Sequence, residues 1–422
     1  MTDAAAPSHR RVAAHAAITF AGLMAANVLG YVFYALVSRT IGVEAYGTFS
    51  SLLAIVLIIA GPSLIGQMVI AKLATDLALA PERLSGLVRA IDRLVVVLSV
   101  VPALVLACLA VPLSSFLHLG DPLLVVLAAC SLCGAIALPL LRGVLQGTSA
   151  FVAFALSNVA ENLAKAIVSP LLALVAGLRG ALAGMAAGYL AAAAFTYLAG
   201  RPHGRAQPAR FSLREVARTS AAVAVAVFCV NVLLLYDVIL AKRYLDAHTA
   251  GLYGAAALSG RALYAVIAFV PTVLLPQAAG RSARGERTRY LFLQALGVTA
   301  VICGCAVALF ALAPRFVVTT IAGRSFAAAA PFVLPYVLAI SAIATANMVA
   351  TYNIARGRMR FVVPLACVAA GEIVAVVLRH RSAGDLLQVI VVGHLCALLA
   401  CATALGGRSR GPAEGLANTS DR

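Results

Sequence analysis

The sequence carries very little charge for its length. Of its 422 residues only 11% are charged, whereas 63% are hydrophobic, and the mean hydropathy is +1.01. A soluble globule of this size needs far more polar surface than such a composition supplies. Long polar segments are also absent, so we expect no separate soluble domain. The composition therefore predicts an integral membrane protein.

Apolar runs recur along the whole chain, and each is long enough to cross the hydrocarbon core of a bilayer as a helix. We predict an all-α membrane protein with about twelve transmembrane helices, each about 20 residues long. The predicted spans lie near residues 14–38, 48–71, 94–115, 122–141, 150–172, 180–199, 219–240, 250–277, 290–313, 327–350, 361–378 and 386–405.

A short polar link occurs twice and indicates an internal duplication. The first copy is RTIGVEAYG, from Arg39 to Gly47, and the second is RYLDAHTAG, from Arg243 to Gly251. The offset that superposes the two arginines also superposes the two glycines, which is typical of a repeat. The polar, Pro- and Arg-containing stretch 201–218 then divides two six-helix repeats. We predict an N-terminal half over 1–200, a cytoplasmic linker over 201–218, a C-terminal half over 219–405 and a disordered cytoplasmic tail over 406–422.

The formal net charge of +17 would suggest nucleic-acid binding in a soluble protein, but here its distribution follows the helices. If the N-terminus is cytoplasmic, most Lys and Arg fall in the links on the cytoplasmic side, and Arg142 is assigned to one of them. An excess of basic residues on one side follows the positive-inside rule. We therefore predict that both termini are cytoplasmic and that nucleic acid is not a partner.

The nine cysteines lie in apolar runs without clustered histidine or acidic neighbours. The pair Cys130 and Cys133 has a redox-like spacing, but within an apolar helix the simpler interpretation is two small hydrophobic side chains. We accordingly expect no metal site, no cofactor and no catalytic residue, and hence a protein that is not an enzyme.

Four polar residues mark one face of the fifth predicted span. Asn158, Glu161, Asn162 and Lys165 follow the spacing of a helix face. Because a buried charge costs at least about 2.5 kcal/mol on insertion scales, this face must contact another helix or a wet cavity. A private Glu161–Lys165 pair that only neutralises itself is the alternative.

Other polar residues lie within predicted spans and complete the candidate site. The substrate-binding candidates outside the fifth span are Asn27, Tyr31, Arg39, Arg261 and Tyr264, and the ion-coupling candidates are Glu161, Asp237 and Glu372. Arg261 lies too deep in its span for easy snorkelling. It could bind an anionic headgroup, or it could form a structural salt bridge with Asp237 or Glu372.

These features together resemble the polysaccharide flippase family, which includes the O-antigen and exopolysaccharide flippases. The resemblance is carried by Arg39, Gly42, Tyr46 and Gly47 in the first link, by its weaker copy ending in Gly251-Leu252-Tyr253, by the preceding Asp237 and by the two six-helix halves. The family belongs to the multidrug, oligosaccharidyl-lipid and polysaccharide exporter superfamily. Asp246 occupies the position of Gly42 in the second copy, so the two links should differ in geometry.

The resemblance implies export of an undecaprenyl-diphosphate-linked oligosaccharide across a bacterial cytoplasmic membrane by alternating access through a central cavity. Membrane lipids, and a polymerase and glycosyltransferases of a polysaccharide pathway, are the implied partners. A drug or cation antiporter of the same superfamily is the main alternative, and it should have an acid-dominated cavity. A membrane glycosyltransferase would need long external loops, which the sequence lacks. A structural subunit of an export complex is a further alternative.

Overall fold

The computed structural model describes residues 9–77, 80–200, 214–270, 281 and 289–405, and these are almost entirely helical. The helices are α1 (His9–Ala60), α2 (Ser63–Asp76), α3 (Pro81–Cys108), α4 (Ala110–Phe116), α5 (Leu123–Gly147), α6 (Phe151–Gly200), α7 (Arg214–Tyr244), α8 (Ala247–Ile267), α9 (Arg289–Leu312), α10 (Pro314–Ile321), α11 (Ala330–Ala355), α12 (Val362–Leu378) and α13 (Ala383–Ala402). A short 3-10 helix (Arg324–Ala329) precedes α11.

The described residues contain nine helical stretches that are long and apolar enough to cross a membrane. Two of them, Thr19–Asp76 and Phe151–Gly200, have 58 and 50 residues, each enough for two crossings. Val362–Leu378 is a shorter apolar helix of 17 residues. Dividing the two long stretches and adding this helix accounts for the predicted number of spans. The predicted all-α, multi-span membrane fold is confirmed.

Glycines in the left-handed region break the two longest helices. Gly42 interrupts α1 with φ 79°, and Gly177 interrupts α6 with φ 55°. A side chain with a Cβ is disfavoured at such angles, whereas glycine adopts them readily. The turn at Gly61 and Pro62 then separates α1 from α2. Predicted span 48–71 is therefore a helix with a break rather than a single rod.

The chain forms two compact units. The first comprises residues up to 41 and 59–220, and the second comprises 42–58 and the residues from 221 onward. The sequence-based division placed all of 1–200 in the first half, whereas this grouping gives segment 42–58 to the second unit. The predicted linker and tail lie largely or wholly outside the described residues, and the division by sequence stays a prediction.

In the first unit, the two arms of α6 fold back on each other around Gly177. Gly180, Gly184 and Gly188 share one face of the second arm, where a Cβ would overlap the first arm at Leu172, Ser169 and Lys165 respectively. Small residues at a helix interface let two backbones approach closely. This close approach places Lys165 directly against the second arm.

In the second unit, the two copies of the repeated link pack against each other. A Cβ added to Gly47 would lie 2.9 Å from the backbone nitrogen of Gly251, and one added to Gly251 would overlap the carbonyl oxygen of Val43. The ring of Tyr46 packs edge-on against Phe326 at 5.5 Å between centroids. The glycines shared by the two copies therefore have a common structural cause, which is the contact between their helices.

The two links differ in geometry, as expected from the Gly42 to Asp246 exchange. Asp246 has extended backbone angles (φ −62°, ψ 161°) and caps α8 by accepting a 3.0 Å hydrogen bond from the Thr249 amide. Hydrogen bonding from Thr249 also holds the pKa of Asp246 below its ordinary value. The second link thus uses a capping side chain where the first uses a left-handed glycine.

Replacing Gly251 by alanine should destabilise the second unit, because the new methyl group would overlap the Val43 carbonyl. Overpacking of this kind costs about 1–3 kcal/mol, which should appear as a lower thermal unfolding midpoint of the purified protein. Gly297→Ala on α9 is the matched control, since a Cβ there meets nothing within 4 Å. Equal midpoints for the two variants would contradict the close helix contact.

Candidate functional site

The polar face of the first arm of α6 centres on three buried charges. The Lys165 Nζ lies 2.6 Å from Glu161 Oε1, and the Arg142 Nη2 lies 2.8 Å from Glu161 Oε2. All three side chains are nearly nine-tenths buried or more. Two cations therefore share one carboxylate, and the cluster keeps a formal charge of +1.

Arg142 and Lys165 are both held by further contacts. Arg142 donates from Nε to Ser157 Oγ and from Nη2 to the Ser157 carbonyl, each at 2.9 Å. The Lys165 Nζ lies 4.3 Å from the centre of the Tyr189 ring and 5.7 Å from that of Phe33. Aromatic faces attract a cation, the more so when it is desolvated. The positive charge is therefore fixed in position by neighbours from α1, α5 and both arms of α6.

The two asparagines of the same face lie beside this cluster. The Asn158 Nδ2 donates to the Phe154 carbonyl at 2.8 Å, and the Asn162 Nδ2 donates to the Asn158 carbonyl at 3.0 Å. Both side chains are only half-buried. Asn162 Oδ1 lies near Gly30 of α1, where a Cβ would be 3.2 Å away. The predicted face is thus a continuous polar stripe within the first unit.

Three other substrate-binding candidates lie on α1. Asn27 and Arg39 are exposed, and Tyr31 is half-buried with its ring edge-on to Tyr34 at 6.1 Å. The Arg39 Nη1 donates to the Ala35 carbonyl of its own helix at 2.8 Å. The role of these three residues in substrate binding stays a prediction.

Asp237 is the centre of the polar site in the second unit. Its Oδ1 pairs with Arg261 Nη2 at 2.8 Å, and its Oδ2 accepts from the hydroxyls of Tyr336 at 2.7 Å and Tyr253 at 3.2 Å. The Arg261 Nε also donates to the Leu234 carbonyl at 3.1 Å. The pairing expected if Arg261 is structural is therefore present, with Asp237 rather than Glu372 as the partner. Tyr264 is half-buried on α8, one turn beyond Arg261.

Glu372 belongs to a second buried group, built from α7, α12 and α13. Its Oε1 accepts from the Tyr236 hydroxyl at 2.8 Å and lies 3.6 Å from His394 Nε2. Its Oε2 has no hydrogen-bond partner among the described residues. A cavity of about 960 Å3 between α11, α12 and α13 reaches Glu372.

Sequence analysis did not identify four residues of these buried polar groups, namely Arg142, Tyr236, Tyr253 and Tyr336. Arg142 was assigned to a cytoplasmic link, but α5 continues to Gly147 and buries its side chain. The apolar residues on both sides, Leu140, Leu141, Val144 and Leu145, were the available signal. Tyr236, Tyr253 and Tyr336 gave no comparable signal, because a tyrosine in an apolar run is ordinary until its hydroxyl is seen to meet a carboxylate.

The two units, with buried ion pairs inside many apolar helices, define a multi-pass membrane protein of the fold found in solved flippase and multidrug-transporter structures. One similar structure is described as the lipid II flippase MurJ in an inward closed conformation (TM-score 0.69, 12% identity, covering 92% of this chain and 87% of that one). Another is an inward-facing multidrug resistance MATE family transporter of the MOP superfamily (0.68, 14%, 96% and 99%). A third is a eukaryotic MATE transporter (0.65, 13%, 94% and 95%).

No protein-family model matches the sequence, and a search of curated proteins finds no match. At identities this low, similarity of structure defines the fold and leaves the substrate to be argued from the residues.

Proposed function

We propose that the protein is a transporter that moves a lipid-linked oligosaccharide, carried on undecaprenyl diphosphate, from the inner to the outer leaflet by alternating access. It acts without covalent chemistry. The fold supports this proposal, because it is shared with structures described as a lipid II flippase and as MATE transporters. In this proposal the protein resides in a bacterial cytoplasmic membrane with both termini cytoplasmic, and it serves surface polysaccharide synthesis alongside a polymerase and glycosyltransferases.

The observation that carries the proposal is the excess of positive charge in the Arg142–Glu161–Lys165 cluster. A diphosphate entering a low-dielectric region needs compensating cations, because an isolated charge there is costly. A buried pair needs only one cation for each carboxylate, so the second cation is available to balance a substrate. Asn158 and Asn162 beside the cluster offer amide groups suited to sugar hydroxyls.

A drug or cation antiporter is the second candidate, and the MATE structures of similar fold favour it. A cationic substrate would be balanced best by an excess of carboxylates. Here Asp237 is already balanced by Arg261, and Glu161 is balanced twice over. Glu372, by contrast, has no Lys or Arg partner among the described residues. The excess of cations is therefore confined to the Arg142–Glu161–Lys165 cluster, and it favours an anionic substrate at that cluster.

Replacing Lys165 by glutamine separates the two candidates. The change should leave a balanced Arg142–Glu161 pair, so the protein should still fold and accumulate. Loss of the extra cation should lower glycan export by about tenfold or more, equivalent to about 1.4 kcal/mol, while resistance to organic cations should not change. Surface glycan and drug susceptibility are measured in cells that depend on this protein.

Lys72→Gln is the matched control, because Lys72 is an exposed lysine on α2. It should leave glycan export unchanged. Normal glycan export by Lys165→Gln, or a loss of drug resistance without a loss of glycan, would contradict the proposal.

A further inference from the structure

His394 binds two backbone carbonyls from two different helices. Its Nδ1 lies 3.0 Å from the Ala339 carbonyl oxygen on α11, and its Nε2 lies 3.0 Å from the Leu233 carbonyl oxygen on α7. A carbonyl oxygen can only accept a hydrogen bond. A neutral imidazole carries one N–H, whereas the protonated ring carries two. Both contacts can therefore be hydrogen bonds only when the ring is protonated.

A counter-charge for the protonated ring is in place. The Glu372 Oε1 lies 3.6 Å from His394 Nε2, and both side chains are at least 98% buried. Glu372 is held against α13 by Gly393, because a Cβ at Gly393 would overlap its carboxylate. The absence of a side chain at residue 393 is thus what lets the carboxylate approach the helix that carries His394.

The other titratable groups around His394 already have hydrogen-bond or ion-pair partners when the ring is neutral. On α7, Tyr236 donates to Glu372, and Asp237 is paired with Arg261 of α8. Tyr253 of α8 and Tyr336 of α11 donate to the same Asp237 carboxylate. Glu372 is therefore the carboxylate near His394 that has no charged partner among the described residues while the ring is neutral.

We propose that His394 and Glu372 form a proton-binding pair, in which one bound proton lets the ring join α13 to both α7 and α11. When the proton leaves, the ring keeps a single N–H and one of the two carbonyls loses its donor. Each buried interhelical hydrogen bond adds to stability, so the proton, which permits both, stabilises the packing of these three helices. The cavity along α11–α13 that reaches Glu372 also contains Arg379 and Gln388 and gives space for water to deliver the proton.

The test is nitrogen-15 magnetic resonance of the full chain in lipid nanodiscs, with labelled histidine and the other six histidines replaced. The signals then report His394 alone. We expect both ring nitrogens to be protonated at pH 5, and one to lose its proton as the pH rises. Glu372→Gln removes the counter-charge and should lower the ratio of doubly to singly protonated rings at a given pH by about tenfold, equivalent to about 1.4 kcal/mol.

Two further variants test whether the titration of His394 depends on the position of the Glu372 carboxylate. Gly393→Ala should displace the carboxylate and reproduce the effect of Glu372→Gln, whereas Glu82→Gln, at an exposed position on α3, should have no effect. A neutral ring from pH 5 to pH 8 in the parent chain would overturn the proposal, and so would a Glu372→Gln chain with an unchanged titration. Because the measurement needs no substrate, its failure would leave the proposed transport function untouched.

Discussion

Replacing Glu161 by glutamine is expected to remove most of the folded protein from the membrane. The change leaves Arg142 and Lys165 as two buried cations that no longer share a carboxylate. Breaking a buried ion pair by removing one partner costs about 3–5 kcal/mol, a large part of the stability of a typical domain. The abundance and the thermal unfolding midpoint of a tagged protein, measured in membrane extracts, give the result.

A second substitution should reverse much of this loss. Glu161→Gln combined with Lys165→Met removes one of the two uncompensated cations, so the double variant should be more abundant than Glu161→Gln alone. The exposed change Glu82→Gln serves as the control and should behave as the parent. A Glu161→Gln chain with parental abundance would show that the cluster is not held together by its charges.

Because Arg142 also pairs with Glu161, exchanging Glu161 and Lys165 no longer tests whether these two residues form a private pair. If Glu161 and Lys165 formed a private pair, exchanging the two residues would be tolerated. In the structure, Glu161→Lys with Lys165→Glu would instead place a lysine side chain against Arg142. The exchanged protein is therefore expected to be unstable whether or not the face binds substrate, and the Lys165→Gln variant is the cleaner probe of binding.

Replacing Arg261 by alanine is the other change with a large expected effect. Asp237 is 1% exposed and would lose its only ion-pair partner among the described residues, although Tyr253 and Tyr336 would still donate to it. We expect a cost of about 3–5 kcal/mol and a matching fall in membrane abundance. Adding Asp237→Asn removes the stranded charge and should restore abundance.

The double variant also decides what Arg261 does beyond holding Asp237. If Arg261 also binds the diphosphate, the double variant should restore abundance without restoring glycan export, and Arg261→Lys should keep partial export, since a guanidinium fork suits a diphosphate better than an ammonium does. Tyr336→Phe is the control for the surrounding hydrogen bonds and should cost about 1.5–3 kcal/mol. Restored export in the double variant would make Arg261 purely structural.

The number of spans and the all-α class were predictable because each depends on local composition. A run of apolar residues specifies a membrane helix on its own, and α12 (Val362–Leu378) was found in this way despite its length of 17 residues. Helix periodicity likewise placed Asn158, Glu161, Asn162 and Lys165 on one face. The contact between Glu161 and Lys165 followed from the same spacing.

The partners supplied by other helices could not be predicted in this way. The spacing along α6 contains no information about Arg142 on α5, and Asp237 and Glu372 were equally good candidates to pair with Arg261. The fold decided between them, because Arg261 on α8 meets Asp237 whereas Glu372 meets Tyr236 and His394. The repeated link was recognised in the sequence, but its cause, the close contact of Gly47 with Gly251, needed the structure.

Transport in reconstituted vesicles tests most directly whether the protein moves a lipid-linked oligosaccharide between the two leaflets. The purified chain is placed in liposomes that contain a fluorescent oligosaccharide on undecaprenyl diphosphate, and a membrane-impermeant quencher reports which leaflet holds it. We predict that the protein moves the labelled lipid between leaflets and that Lys165→Gln slows the movement by about tenfold or more, whereas Lys72→Gln does not. Movement of an organic cation, with none of the lipid-linked oligosaccharide, would contradict the account.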